Sequence, residues 1–120
     1  MAVVIFHNPK CSKSRETLDL IRAAGIDPVV VPYLTTGWTK PQLQALFAVA
    51  GLEPSEALRT ARGAAKELGL ADAGVSPDAI LDAMVAHPEL VERPIVCSPK
   101  GVRLCRPPER VLDLLPGADG

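Results

Sequence analysis

Two short apolar runs with one helical stretch between them constrain this chain more than any other feature. Val3-Val4-Ile5-Phe6 is apolar throughout and mostly β-branched, so it reads as a short buried strand. Val29-Val30-Val31 reads as a second buried strand. Between them, Leu18, Ile21 and the pair Leu20 and Ala24 form an apolar face at helical spacing, from about Ser14 to Ala24. Gly25 ends that helix as a left-handed C-cap would, and Asp27-Pro28 turns the chain. Strand, helix and strand in this order make a β-α-β unit, with parallel strands and a right-handed crossover.

The middle of the chain reads as helical. Thr39-Lys40-Pro41 is a helix start, Leu43, Leu46, Phe47 and Val49-Ala50 form the inward face, and Gly51 stops it. A second helix is expected from about Pro54-Ser55 through Ala57, Leu58 and Arg59, interrupted at Gly63, with a further short turn over Ala64 to Leu68. Ser76-Pro77-Asp78 places a capping serine before a proline at the first helical position. Ile80, Leu81, Met84 and Val85 follow, and His87-Pro88 ends that helix. Arg93-Pro94-Ile95-Val96-Cys97 is a strand entered through proline, Ser98-Pro99-Lys100-Gly101 a hairpin turn, and Val102-Arg103-Leu104-Cys105 the returning strand. Pro107 or Pro108 opens a last helix carrying Val111, Leu112 and Leu115. The order is β-α-β, a helical block over about 39-90, then β-β-α. That is an α/β, thioredoxin-like plan with a helical insertion, in a single domain over 1-120. It predicts a four-stranded mixed sheet, strands one and two parallel, three and four an antiparallel hairpin.

Composition narrows the function. A hydrophobic share of 48% supports a real core, and an aromatic share of 3% makes that core aliphatic. A net charge of −1 argues against a general nucleic-acid binder. The N-terminal apolar stretch lacks a basic n-region and is too short for a signal peptide or membrane span, so the expected compartment is the cytoplasm. Cys11, Cys97 and Cys105 cannot all pair among themselves, and a reducing cytosol favours catalytic or inert thiols over a structural disulfide. The ligand set is too scattered for zinc, so no metal is expected.

The chemistry converges on His7-Asn8-Pro9-Lys10-Cys11-Ser12-Lys13-Ser14-Arg15. Cys11 sits at a strand-to-helix turn with Lys10, Lys13 and Arg15 around it. A helix start offers unpaired N–H groups and the positive end of the dipole, which favour a bound oxyanion or the thiolate itself. The bland alternative is a small buried hydrophobe. The pattern is Cys-x-x-Ser, so a disulfide made at Cys11 would need an outside thiol. A phosphatase loop fits poorly, because Arg15 follows Cys11 too closely. His7 either stabilises the thiolate, as an imidazolium or by hydrogen bonding, or only braces the turn. Ser14 either donates to the sulfur or caps the helix, a role open to Ser12 as well. Arginine suits tetrahedral oxyanions through its planar fork. Arg15, Arg59, Arg93, Arg103 and Arg106 are the candidates. Arg93 and Arg106 stand out because each precedes a proline beside a core strand, which holds its backbone extended. Pro94 lies where a thioredoxin-like layout often has a cis-proline facing the active cysteine. Cys97 and Cys105 read as structural.

Four separated motifs together resemble the glutaredoxin-coupled arsenate reductases. They are His-Asn-Pro-x-Cys-x-x-Ser-Arg at 7–15, Arg59 ahead of Glu67-Leu68-Gly69-Leu70, Arg93-Pro94-Ile95-Val96, and Arg103-Leu104-Cys105-Arg106-Pro107. The similarity runs from about Val3 to Pro116. It implies that Cys11 is the nucleophile, that His7 helps depress its pKa, and that Ser14 and Arg15 support the thiolate and loop. It implies that Arg59, Arg93 and Arg106 bind arsenate and that Pro94 is a structural cis-proline. It further implies reduction of arsenate to arsenite through a cysteine–arsenic adduct, with glutathione as co-substrate, glutaredoxin as partner, no tightly bound cofactor and a monomeric enzyme. Where such enzymes tend to read Cys-Gly-Thr-Ser-Arg-Asn, this chain reads Cys11-Ser12-Lys13-Ser14-Arg15-Glu16, which is similar to an arsenate reductase-like sister subgroup. Two other readings use the same scaffold. One is a glutathione-linked thiol oxidoreductase that needs Cys11 but not the arginines. The other is an Spx-like RNA polymerase-binding regulator, against which Ser14 in place of a second cysteine speaks.

Overall fold

The computed structural model of the chain describes residues 2–59, 65, 68–70 and 74–116. The chain divides into two compact units, Met1–Thr36 with Arg93–Gly120, and Gly37–Glu92.

The first unit carries the sheet. Strand β1 is Val4–Phe6, helix α1 is Ser12–Ala23, β2 is Val29–Val31, and a single helical turn, α2, covers Tyr33–Thr36. Strands β3, Ile95–Ser98, and β4, Gly101–Leu104, form the hairpin. The sheet order is β2-β1-β3-β4. Strand β1 is parallel to β2, with Ile5 opposite Val30, and antiparallel to β3, with Phe6 opposite Ile95. Strand β4 returns antiparallel to β3, with Leu104 also opposite Ile95. This register places three chain segments at one end of the sheet: the loop leaving β1, the approach to β3 and the exit from β4.

One face of the sheet is closed by α1 and a 3-10 helix at Pro108–Leu114, which pack on each other. Val3, Ile5 and Val96 from the strands meet Leu18 and Ile21 from α1 and Val111, Leu114 and Leu115 from the C-terminal segment, with Cys105 among them. Helix α1 buries Ser14, Thr17, Leu18 and Ile21, a stripe at helical spacing. Ala24, expected on that face, is exposed.

Three expectations change in this unit. Strand β2 is not buried: Val29 is 59% exposed, because β2 is an edge strand with one neighbour. A three-valine run carries no sign of which edge it will occupy. The last helix is 3-10 rather than α. Three residues per turn align Val111 with Leu114, so Leu112 faces outward. Cys105 lies one residue beyond β4.

The second unit is helical. Helix α3, Lys40–Ala50, begins in a capping box: Thr39 Oγ1 accepts from the Gln42 N–H at 3.2 Å, and Gln42 Oε1 accepts from the Thr39 N–H at 3.3 Å. It ends at Gly51, whose φ of 71° is the left-handed conformation glycine adopts without penalty. Helix α4, Pro77–Ala86, is capped by Ser76 Oγ, which accepts from the Ala79 N–H at 3.1 Å. Leu43 and Phe47 of α3 and Ile80, Leu81 and Met84 of α4 are buried. Leu46 is only half-buried and Val49 is exposed, so the buried stripe of α3 is narrower than expected. Lys40 Nζ lies 3.4 Å from Asp78 and 3.1 Å from Asp82, tying the start of α3 to α4. The Trp38 indole N–H donates to the Pro88 carbonyl at 3.3 Å. The helix expected from Pro54 is a series of turns, after which Leu58 pairs with Val91 in an isolated antiparallel bridge. Gly63 and most of the turn expected over Ala64 to Leu68 lie outside the described residues.

Candidate active site

Cys11 is the N-cap of α1, with extended backbone at φ −94° and ψ 121°. Its carbonyl accepts the first helical bond, from the Arg15 N–H at 3.0 Å. The expected serine cap is therefore not the cap. Ser14 lies inside the first turn, fully buried, and Ser12 is the first helical residue. No acidic residue occupies that first turn, so nothing there opposes a negative charge.

The thiol of Cys11 is held below its ordinary pKa. Burial alone would raise it, but the combined action of other groups wins: the backbone N–H of Ser14, the charge and a hydrogen bond of the Arg93 guanidinium, and the backbone N–H of Lys13. The sulfur makes no capping hydrogen bond of strict geometry, so these amides act as nearby dipoles rather than as a tight cap. Burial pushes the half-buried Cys97 up to about 11. It pushes the buried Cys105 up to about 12, against the charges of Arg110 and Arg103. Cys11 alone of the three thiols is shifted toward the anion.

His7 and Ser14 form a unit. His7 Nδ1 lies 2.6 Å from Ser14 Oγ, and that oxygen also accepts the Asn8 N–H at 3.1 Å. Burial, then Arg22 and Arg15, lower the His7 pKa, so the imidazole is neutral at pH 7. His7 is not among the groups that shift Cys11. The His7–Ser14 hydrogen bond ties the end of β1 to the first turn of α1.

Arg93 is 6% exposed, and its Nε and Nη1 are buried without hydrogen-bond partners. Burying a guanidinium is costly unless its charge and donors are satisfied. The charge of a Cys11 thiolate would answer that of Arg93, and Nε and Nη1 remain uncommitted to protein acceptors. Arg106 is exposed, and its Nη1 donates to the Arg93 carbonyl at 3.1 Å. The shared end of β1, β3 and β4 is what assembles Cys11, Arg93 and Arg106. The Arg93–Pro94 peptide is cis, and so is Arg106–Pro107, where the sequence points to an extended arginine but not to a cis bond. Arg15 is exposed and donates to the Pro9 carbonyl at 3.0 Å, bracing the loop from outside. Arg59 belongs to the second unit, half-buried, its N–H donating to the Leu90 carbonyl at 2.7 Å. Arg103 pairs with Asp113 at 3.6 Å and takes no part in the loop.

In the sequence Asn8 stands only as part of the His-Asn-Pro-x-Cys motif, with no role of its own, and the amide of Lys13 has none either. The Asn-Pro dipeptide is a turn signal and could have marked Asn8 as a side-chain acceptor for the loop. Among the described residues no group of three or more His, Cys, Asp or Glu could hold a metal ion, and no helix is long and apolar enough to cross a membrane.

Known proteins resemble this chain over most of its length. The chain is 60% identical over 113 residues to arsenate reductase ArsI2 of a Synechocystis strain, covering 94% of this chain and 81% of that protein. It is 45% identical over 114 residues to the uncharacterized protein YfgD of Escherichia coli, covering 94% of this chain and 96% of that one. The solved arsenate reductase from Vibrio cholerae superimposes with a TM-score of 0.91 at 48% identity, covering 96% of this chain and 98% of that one. The model of the ArsC family matches residues 6–114, which span the Cys11 loop, the helical unit and both arginine-proline segments. By sequence and by fold, the chain belongs to the ArsC family.

Proposed function

We propose that this chain is an arsenate reductase working through one cysteine, with glutathione and glutaredoxin supplying the electrons, as a monomer in the cytoplasm. The observation that carries the reading is the buried Arg93 guanidinium, whose charge lowers the Cys11 pKa while its Nε and Nη1 have no protein partner. A guanidinium so placed suits an oxyanion brought to a thiolate. Relatives and a solved structure named arsenate reductases support the choice of arsenate.

The Cys11 thiolate attacks the arsenic of arsenate and forms a sulfur–arsenic bond, and a protonated oxygen leaves as hydroxide or water. Arg93, with Arg106 at the rim, neutralises charge on the remaining oxygens. Arg59 is assigned to the same task on the family motif alone. Glutathione thiolate then attacks the Cys11 sulfur. A disulfide forms, and the electron pair of the sulfur–arsenic bond goes to arsenic, which leaves as arsenite. Glutaredoxin thiolate attacks the glutathione sulfur and releases Cys11. A site with one activated thiol and no neighbouring resolving cysteine suits this order of steps. His7 and Ser14 hold the loop in the geometry the attack needs, and Arg15 braces it.

Arsenite formation should require arsenate, glutathione and glutaredoxin together, and should vanish in Cys11→Ser. Folded protein with reduced Cys11 that gives no turnover with all three would sink the proposal. Glutathione-disulfide exchange that survives Arg93→Ala, with no arsenate turnover in the wild type, would favour a general thiol oxidoreductase instead.

A further inference from the structure

Asn8 is buried in the loop beside the nucleophile, and three hydrogen bonds meet on it. Its N–H donates to Ser14 Oγ at 3.1 Å. Its carbonyl accepts the Cys11 N–H at 3.0 Å. Its side-chain Oδ1 accepts the Lys10 N–H, also at 3.0 Å, closing an Asx turn. On either side the loop is anchored: the His7 N–H donates to the Val31 carbonyl at 2.8 Å, and Arg15 Nη1 to the Pro9 carbonyl.

These bonds decide which amides can serve the sulfur. The N–H groups of Lys10 and Cys11 are committed to Asn8, one to its side chain and one to its carbonyl. Those of Lys13 and Ser14 are the second and third amides of α1, the ones an N-cap side chain faces, and they lower the Cys11 pKa. A loop of the same length in which the Lys10 amide were released could turn Cys11 away from the helix start.

We infer that Asn8 is the positioning residue of this site: by holding the Lys10 amide, its Oδ1 fixes the turn that aims the Cys11 sulfur at the amides of Lys13 and Ser14 and at the Arg93 guanidinium. The inference rests on Cys11 being the nucleophile, but not on arsenate being its substrate. Asn8 touches neither the sulfur nor the substrate in this role; it acts through the backbone before Cys11.

Only the Oδ1 bond depends on the side chain, so a substitution isolates it. Asn8→Ala removes the acceptor, and Asn8→Ser keeps a shorter, weaker one that can still reach the amide two residues on. The charged groups around the sulfur stay the same in both variants: Arg93 from the approach to β3, and Lys10, Lys13 and Arg15 from the loop and α1. His7, at the end of β1, stays neutral.

The test is the pH dependence of Cys11 alkylation by iodoacetamide in the full chain, with adducts assigned by peptide mass spectrometry. Asn8→Ala should move the midpoint up by about one pH unit, which slows alkylation roughly tenfold at pH values below both midpoints. The limiting rate at high pH should stay near that of the wild type. Asn8→Ser should fall between the two. If Asn8 is only structural, the variants lose thermal stability while the midpoint stays put; that result overturns the inference. Should Asn8→Ala fail to fold, Asn8→Ser carries the test alone, and a wild-type midpoint in it overturns the inference equally. Because the readout contains no arsenate, failure of the reductase assay and failure of this inference are separate results.

Discussion

Arg93 and Cys11 stabilise each other, and each is poorly explained without the other. A buried guanidinium with free donors is costly, and a half-buried thiol would be neutral if burial alone acted on it. Arg93→Lys keeps the charge but loses the fork. It should lower kcat/KM for arsenate by about two orders of magnitude, with the Cys11 alkylation midpoint changing less. Arg93→Ala should lose both. A wild-type kcat/KM in Arg93→Lys would show that the fork is not what the substrate uses. The thiols make a second prediction. The folded pKa of Cys11 is lowered, so its thiolate persists below the ordinary thiol value of 9.0 and is lost only as pH falls through the lowered value. Cys97, at about 11, and Cys105, at about 12, are protonated at pH 7. One equivalent of iodoacetamide at neutral pH should therefore label Cys11 alone. Labelling of Cys97 at a comparable rate would contradict this ordering.

At the scale of elements, local chemistry and tertiary context separate cleanly. Thr39 and Ser76 are legible as caps because their side chains act on amides of their own helices. The hairpin turn at Ser98 to Gly101 is legible because its chemistry is also local: Ser98 Oγ accepts from the Lys100 N–H. Thr39→Ala should cost about 1 kcal/mol, read as a lower denaturation midpoint at unchanged slope. No change would mean that the capping box is dispensable. Cys11 as N-cap was hidden because Ser12 and Ser14 are better caps by type, and Ser14 is drawn inward by His7 and the Asn8 amide instead. The exposure of β2 and the 3-10 form of the last helix depend on which neighbours a segment meets, and no single-segment pattern contains that. The candidate site was legible to the extent that strand-to-helix position and proline neighbours marked Cys11, Arg93 and Arg106. The hydrogen bonds that join His7, Ser14 and Asn8 needed the folded loop.

At the scale of the molecule, the question is what draws a doubly charged oxyanion to a protein of net charge −1. No long-range field of the whole chain can do so, and the attraction must come from the end of the sheet where β1, β3 and β4 deliver the thiol loop, Arg93 and Arg106. The two arginines there differ in exposure, and that difference separates their roles. Arg93 is buried, so mobile ions screen it weakly. Arg106 is exposed, so its pull on an approaching anion should weaken once the Debye length falls to about 10 Å or less at 0.1 M salt and above. The kcat/KM for arsenate should therefore decline with ionic strength in the wild type. Arg106→Ala should lower kcat/KM at low salt and flatten that decline. Arg93→Ala should lower kcat/KM at every salt concentration and leave the slope in place. Arg106 also holds the Arg93 carbonyl, so part of its effect could reach the thiol through Arg93. The alkylation midpoint of Cys11 separates the two routes: it stays near wild type in Arg106→Ala if the exposed charge acts on the substrate directly, and rises if Arg106 acts by placing Arg93. A salt dependence unchanged by Arg106→Ala would assign the steering to Lys10 and Lys13 at the loop instead.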